Sequence, residues 1–454
     1  MRKMPTPPTL PTANVRPILD MNAYDGQVSA KADQGNDLLM RRTRNVGAAS
    51  VLFYRDPIEM VSASGCWMTA SDGTNYLDFY NNVPSVGHCH PQVVSAMADQ
   101  AARLNINSRY LHQTTETYLD RLKATFPDHL ENVVLTCSGS EANDLALRIA
   151  QRGTGARGII VTECAYHGNT ATVTDISPSA FKRGELPDHV VSVPAPSKLA
   201  YGDDIAGGFA DAIVKAIAVL SDRGHGIAAL IVDSIFSSDG VFSNPRGFLR
   251  LAVAVVHRAG GVFIADEVQP GFGRTGDAFW GFLRHDVTPD IVSMGKPMGN
   301  GFPMAGIAVR PELVAAFCED VGYFNTFAAS PVAAATGLAV LDVIRDENLL
   351  ANAMICGKYL REGLQHLADI DGRISDIRGA GLFLGVDLSP NGVPEDANGQ
   401  LVGDVINAMR RHRVLIGAAG KYGQTLKIRP PLCLRQSEVD FFIEALGKSL
   451  RECG

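Results

Sequence analysis

NVVLTCSGSEANDLALRIAQR (132–152) decides the architecture. A short apolar run, a Ser-Gly-Ser turn and a segment with helical spacing form one strand–turn–helix unit. Similar runs stand at GIIVTE (158–163), IAALIVD (227–233), GVFIADE (261–267), DIVSMG (290–295) and AGIAV (305–309), with helical stretches among them, and the rhythm begins near Pro91 with PQVVSAMADQAARL. Runs that are continuously apolar, rather than alternating, predict strands covered on both faces. The fold class is therefore α/β with a mostly parallel central sheet.

The flanks read differently. Asp37-Leu38-Leu39-Met40-Arg41-Arg42 is expected as a short helix, and VLFYRDPIEMVSASGCWMTASDGTNYLDF, broken by SDGTN, as antiparallel hairpin strands. Beyond residue 345 come helices and the strands GLFLGVDL (381–388), RVLIGA (413–418) and TLKIRP (425–430), with Ser437 expected as N-cap of the last helix. The N-terminal hairpin cannot bury its own apolar face, so it is expected to pack with the C-terminal unit. This gives a flexible arm over 1–35, a small α+β domain from 36–90 and 345–454, and a large domain over 91–344. DLSPNGVPEDANGQL (387–401) reads as a surface loop.

Composition narrows the function. The chain has 454 residues, 41 Lys+Arg against 48 Asp+Glu, and a net charge of −7, which argues against a broad nucleic-acid-binding surface. Eight scattered cysteines form no CxxC pair, so neither a zinc site nor a disulfide scaffold is indicated, no metal is expected, and a reducing cytoplasm fits best. No apolar run reaches the roughly 20 residues that cross a bilayer, and MRKMPTPPTLPTANVRP has no apolar leader core.

In an open parallel sheet ligands bind beyond the carboxyl ends of the strands. Four such ends carry chemistry. Ser138-Gly139-Ser140 opens a helix, where small residues and free N–H groups suit a phosphate; the bland alternative is a turn with glycine for packing. Tyr166-His167 offers flat rings for stacking, though a loop Tyr-His is commonly structural. Asp266 ends a buried strand and needs a cationic or protonated partner, which an ordinary Arg or Lys ion pair would also satisfy. Lys296 follows another buried strand among Gly, Pro and Met, a setting that suits Schiff-base chemistry, whereas most lysines are simply solvated. Together, phosphate cradle, stacking aromatic, carboxylate and lysine describe a site for pyridoxal 5′-phosphate. That cofactor needs its phosphate anchored, its ring sandwiched, its pyridine nitrogen kept protonated and its aldehyde held.

SGSEANDLALR, AYHGN, ADEVQPGFGRTG, SMGKPMGNGFP, NTFAASP and LKIRPPL, in this order and spacing, resemble the class III aminotransferase family of pyridoxal-phosphate enzymes, fold type I, over essentially the whole chain beyond the arm. The resemblance implies that Ser138, Gly139 and Ser140 hold the cofactor phosphate, that Tyr166 stacks on the ring with His167 beside it, and that Asp266 pairs with the pyridine nitrogen. It further implies that Val268 packs on the opposite face, that Gln269 bonds near the ring hydroxyl, that Lys296 carries the Schiff base, and that Thr326 reaches the cofactor phosphate of a neighbouring subunit in a homodimer. Lys296, Asp266 and Tyr166 are the catalytic candidates.

NVPSVGHCHP (82–91), NINSRYLH (105–112), DISPSAF (175–181) and IRGAGLFLGVDL resemble most the ethanolamine-phosphate and phosphohydroxylysine phospho-lyase branch, also labelled alanine–glyoxylate aminotransferase-like. Two departures from the transaminase pattern agree. Lys427 stands where many members carry a carboxylate-binding arginine, and Ser238 stands where α-ketoglutarate users carry a gating glutamate; Ala328 and Ala329 also alter the usual intersubunit loop. The expected reaction is elimination of phosphate and ammonia from a phosphorylated small amine such as phosphoethanolamine, with Arg109, Lys427, Arg44 and Lys421 as candidate phosphate ligands. The alternative moves an amino group from a primary amine or ω-amino acid to pyruvate or glyoxylate. Intact Lys296 and Asp266 disfavour a third reading, a catalytically silent binding homologue.

Overall fold

A computed structural model describes residues 17–24, 37–389 and 399–454. Most of the arm 1–35 and the central part of the loop 387–401 lie outside the described residues. The part of the arm that is described, 17–24, is not free: Met21 is buried, Tyr24 N–H donates to Leu52 O (2.7 Å), and Tyr54 N–H donates to Asn22 O (3.2 Å).

Strands β1 (Met60–Ser64), β2 (Trp67–Ala70) and β3 (Asn75–Asp78) form the expected antiparallel meander after a helix at Asp37–Val46. The β2–β3 turn follows from SDGT: Asp72 accepts from Thr74 N–H (2.9 Å), and Gly73 takes a φ of +85° that side chains resist.

The central sheet contains β4 (Asn132–Thr136), β5 (Gly158–Thr162), β6 (Val190–Val193), β7 (Ile227–Asp233), β8 (Val262–Asp266), β9 (Ile291–Met294) and β10 (Ala305–Val309), in the order β4-β10-β9-β8-β7-β5-β6. All run parallel except β10, which is antiparallel to both neighbours. The cause is the link 295–304, too short for the crossover of a dozen or more residues that a parallel return needs. Edge strand β6 was not among the runs read from sequence; it is only VVSV, followed at once by Pro194.

Helix Gly139–Thr154 leaves β4 and crosses one face of β7–β10. Its Ala142, Leu145, Ala146 and Ile149 share a buried cluster with Ile159, Ile231, Ile264, Ile291 and Ile307. Each large aliphatic side chain so buried contributes roughly 1.5–3 kcal/mol. That packing fixes the N-terminus of the helix at the carboxyl end of the sheet, where Asp233, Asp266 and Ser293 stand level in register.

The C-terminal part adds β11 (Ile374–Ala380), β12 (Phe383–Leu388), β13 (Val414–Leu415), β14 (Gly417–Ala419) and β15 (Thr425–Ile428). The expected strand RVLIGA divides: β13 runs parallel to β3, whereas β14 joins the antiparallel sheet β11-β12-β15-β14. Between them the backbone of buried Ile416 leaves both ladders, its N–H and C=O each 3.2 Å from the Tyr54 hydroxyl. Trp67 Nε1 donates to Glu438 Oε1 (2.8 Å) and Phe79 stacks on Phe442 at 4.1 Å, joining the first sheet to the last helix. That helix, Gln436–Glu452, is capped at Arg435 and not at Ser437. Glu438 is its third residue, and its carboxylate accepts from the Arg435 N–H (2.8 Å), which draws the start back.

Candidate active site

At the start of helix Gly139–Thr154, Ser138 is the N-cap and its hydroxyl accepts from Glu141 N–H (3.2 Å). The next residues are closely packed. A Cβ on Gly139 would stand 3.1 Å from Val268 Cγ2, and one on Gly168, whose φ is +144°, would stand 2.8 Å from Ser140 Cα. Ser140 Oγ accepts from Asn169 N–H (3.1 Å), so the Tyr166–Gly168 loop lies directly against the helix N-terminus. A Cβ on Gly295 would lie 3.4 Å from both Gly139 Cα and Val268 Cγ1, which places the residue before Lys296 in the same cluster.

Asp266 is 4% exposed, and its side-chain partners are neither Arg nor Lys. Its Oδ2 accepts from Asn143 Nδ2 (3.0 Å) and lies 2.7 Å from His167 Nδ1, while Oδ1 accepts from Val268 N–H (3.0 Å). Burial alone raises a carboxyl; the His167 contact, the Val268 N–H and the Asn143 amide outweigh it and hold Asp266 below the usual range. His167 is itself buried, and its Nε2 has no partner among the described residues. Tyr166 is half-buried, which pushes its phenol up.

Glu267 points away from this cluster, as strand alternation requires. It is fully buried, accepts from Ser234 Oγ (2.5 Å), Gly281 N–H (2.7 Å) and Phe282 N–H (2.8 Å), and is pushed up to about 7 by burial.

Lys296 follows β9 as the first residue of a short turn, Lys296–Gly299, and makes no hydrogen bond or ion pair among the described residues. Burial and the Arg429 charge hold its ammonium below the ordinary value, against the pull of Asp266 and Asp233. Lys427, on β15, is 2% exposed and has no carboxylate at ion-pair distance among the described residues; its Nζ lies 5.7 Å from the centre of the Phe383 ring. Burial, then Arg429 and Lys296, push it well down, while Asp233 and Asp239 oppose them. Asp239 accepts from Thr162 Oγ1 (2.7 Å) and Cys164 N–H (3.0 Å), and burial pushes it up to about 7.

The Aminotransferase class-III family model matches residues 54–450. The chain belongs to the class III aminotransferase family. It is 39% identical over 426 residues to the alanine–glyoxylate aminotransferase 2-like protein of Drosophila melanogaster, covering 91% of this chain and 85% of that one. To ethanolamine-phosphate phospho-lyase homolog 1 of Caenorhabditis elegans it is 36% identical over 435 residues, covering 91% and 93%. The solved structure of a phospholyase from Arthrobacter in complex with phosphoethanolamine superposes with a TM-score of 0.88 at 40% identity, covering 91% of this chain and 99% of that one.

In this class III aminotransferase-family enzyme the structure brings Ser138, Gly139, Ser140, Tyr166, His167, Asp266, Val268 and Lys296 together, with Gln269 and Lys427 beside them through Arg429. It does not bring in the other candidate cations. Arg109 is exposed and lies over the Phe324 ring at 4.1 Å. Arg44 sits on a helix with no buried residue, and Lys421 is already paired with Glu163 (2.9 Å). Thr326 is exposed and lines an open cavity of about 630 Å³ with Asn107, Cys137, Phe302 and Phe327. Ser238 is buried, its carbonyl accepting from Gly420 N–H (3.1 Å). Sequence reading missed Asn143 and Arg429. Asn143 stands four residues beyond Gly139, on the helix face that meets the sheet. Arg429 was signalled by its place two residues after Lys427, which puts both on one face of an extended strand.

Proposed function

We propose that this enzyme uses pyridoxal 5′-phosphate to eliminate phosphate and ammonia from a phosphorylated small primary amine such as phosphoethanolamine, with no amino acceptor. The observation that carries the reading is Lys427, a buried amine without an ion-pair partner among the described residues, beside Lys296 and Arg429. Its surroundings disfavour the ammonium until a countercharge arrives, and a substrate phosphate brings one, so that binding the phosphate and charging Lys427 go together. The likeness to the Arthrobacter phospholyase and the Caenorhabditis elegans phospho-lyase homologue supports the same reaction.

The residues fit the cofactor. The helix N-terminus at Gly139 and Ser140 suits its phosphate. Tyr166 and Val268 suit the two faces of its ring, and an anionic Asp266 suits a protonated pyridine nitrogen. Lys296, free of any salt bridge among the described residues, suits its aldehyde. The orphaned Nε2 of buried His167 is a further polar atom that such a ligand would face. When bound, the cofactor supplies an electron sink for the pair left on the carbon next to the substrate nitrogen.

The chain's own groups do the rest. Lys296, its ammonium held below the ordinary value, would take the proton from that carbon as phosphate leaves the neighbouring one, and water would then split the enamine so formed into an aldehyde and ammonia. His167 and Asn143 keep Asp266 charged and aimed. Lys427 meets the phosphate and stabilises the charge that grows on it as it leaves.

Exposed Phe327 (78%) and Phe324 (42%) beside Thr326 support a homodimer whose partner covers this face. The joining of β3 to β13 supports grouping 36–90 with 345–454 around a large domain 91–344. All eight cysteines are free, which supports a reducing, cytoplasmic setting, and among the described residues no helix is long and apolar enough to cross a membrane.

The test is to incubate the purified enzyme with phosphoethanolamine and no keto acid. Equimolar phosphate and ammonia are expected. If a keto acid proves obligatory and no phosphate appears, the lyase reading falls and transfer of the amino group to pyruvate or glyoxylate replaces it.

A further inference from the structure

Arg429 is 8% exposed, and among the described residues no carboxylate lies at ion-pair distance from it. It is held from several sides. Its backbone N–H donates to Phe79 O (3.0 Å), its guanidinium carbon lies 4.7 Å from the centre of the Tyr80 ring, and Nη1 donates to Gln269 Oε1 and, at 3.4 Å, to Asn82 Oδ1. Tyr80 in turn packs on Gly417, where a Cβ would collide with the ring. The guanidinium therefore has little freedom to turn.

The consequence falls on Gln269. A guanidinium has only donors, whereas a side-chain amide presents one acceptor oxygen and one donor NH2. Because Arg429 claims the oxygen, the amide cannot flip, and the NH2 must face the other way. That NH2 makes no hydrogen bond among the described residues, although Gln269 stands one residue after Val268, at the edge of the ring site.

We propose that Arg429 is a positioning residue, which fixes the Gln269 amide with its NH2 turned into the site so that Gln269 acts there only as a donor, to an anionic oxygen on the ring of the bound group. This rests on the pyridoxal 5′-phosphate reading above. A donor at that oxygen favours its deprotonated form and lowers the pH at which the bound cofactor changes its visible absorption.

The experiment is a pH titration of that absorption in the holoenzyme without substrate. Gln269→Leu is expected to raise the midpoint by about one pH unit, since it removes a donor to the charged form. Arg429→Met should move it the same way, and the double variant no further than Gln269→Leu alone, because Arg429 acts through Gln269. Arg429→Lys, which keeps a donor to the amide oxygen, should stay near the wild type. If Arg429→Met fails to fold, Arg429→Gln decides: it can meet the Gln269 amide with an oxygen as well as an NH2, so the amide is free to turn and the midpoint must rise part of the way toward that of Gln269→Leu. A wild-type midpoint in Arg429→Met or Arg429→Gln, or fully additive shifts in the double variant, overturns the inference. A wild-type protein with no visible band overturns the cofactor reading and this inference together, so the two failures are told apart.

Discussion

His167 Nδ1 and Asp266 Oδ2 lie 2.7 Å apart, both buried, and 99 residues apart in the chain. The contact joins the loop after β5 to the end of β8. It also does most to offset the burial that would otherwise protonate the carboxyl.

His167→Ala should therefore raise the Asp266 pKa. A carboxylate with a depressed folded-state pKa keeps its charge as pH falls until that low pKa is reached, so removing the cause moves the loss of charge to higher pH. The acid limb of the kcat profile is expected to move up by about one unit, roughly the worth of one charge-assisted bond. An unchanged acid limb would show that Asn143 and the Val268 N–H hold the carboxylate by themselves. Asp266→Asn should stay folded and lose orders of magnitude in turnover.

Lys296→Ala should abolish covalent attachment of pyridoxal 5′-phosphate. Borohydride reduction followed by peptide mass spectrometry is expected to label the wild type at Lys296 alone. A label retained on another lysine of the variant would remove Lys296 from this role.

Much of this site was legible because its residues stand next to strands. Ser138, Asp266 and Lys296 each follow an uninterrupted apolar run, and a run fixes where its end will lie in a parallel sheet. What was not legible are the pairings between strand ends. The partner of Asp266 proved to be His167 and not an Arg or Lys, because only the docking of the 166–168 loop against Ser140 decides which side chain arrives. The partners of Arg429 were hidden for the same reason, since Tyr80, Asn82 and Gln269 come from distant segments. The reversed direction of β10 was readable in principle from the length of the 295–304 link. The division of 413–418 was not, because it depends on the Tyr54 hydroxyl occupying both polar groups of Ile416.

Glu267 gives a stability prediction with a definite sign. Its folded-state value is pushed up to about 7 from an ordinary 4.5, so between these limits the folded chain binds more protons than the unfolded one. Its contribution is full below pH 4.5 and is lost as pH rises to about 7, by up to a few kcal/mol at about 1.4 kcal/mol per unit. Glu267→Gln cannot titrate, and its NH2 would face a backbone N–H, so it is expected to be less stable than the wild type. The gap in Tm between the two proteins should narrow from pH 5 to pH 8. A gap independent of pH would mean that the three donors keep Glu267 ionised throughout.

Lys427 separates phosphate recognition from the rest of the machinery. It is buried beside Lys296 but makes no contact that holds the helix N-terminus, Asp266 or the Tyr166–Gly168 loop, so Lys427→Gln should still bind the cofactor with its normal spectrum. Loss of one charge-assisted contact to a phosphate is worth about 1.5–3 kcal/mol, or roughly 10- to 150-fold in kcat/KM for phosphoethanolamine. An amine without a phosphate should show little change, because it leaves Lys427 unused in both proteins. Lys427→Arg offers a fork of donors in place of a point charge and should retain more activity toward phosphoethanolamine than Lys427→Gln does. Equal losses for phosphorylated and unphosphorylated amines would assign Lys427 to Lys296 or to the cofactor, and would leave the phosphate to another cation, with Arg429, whose charge acts most strongly on Lys427, as the next candidate.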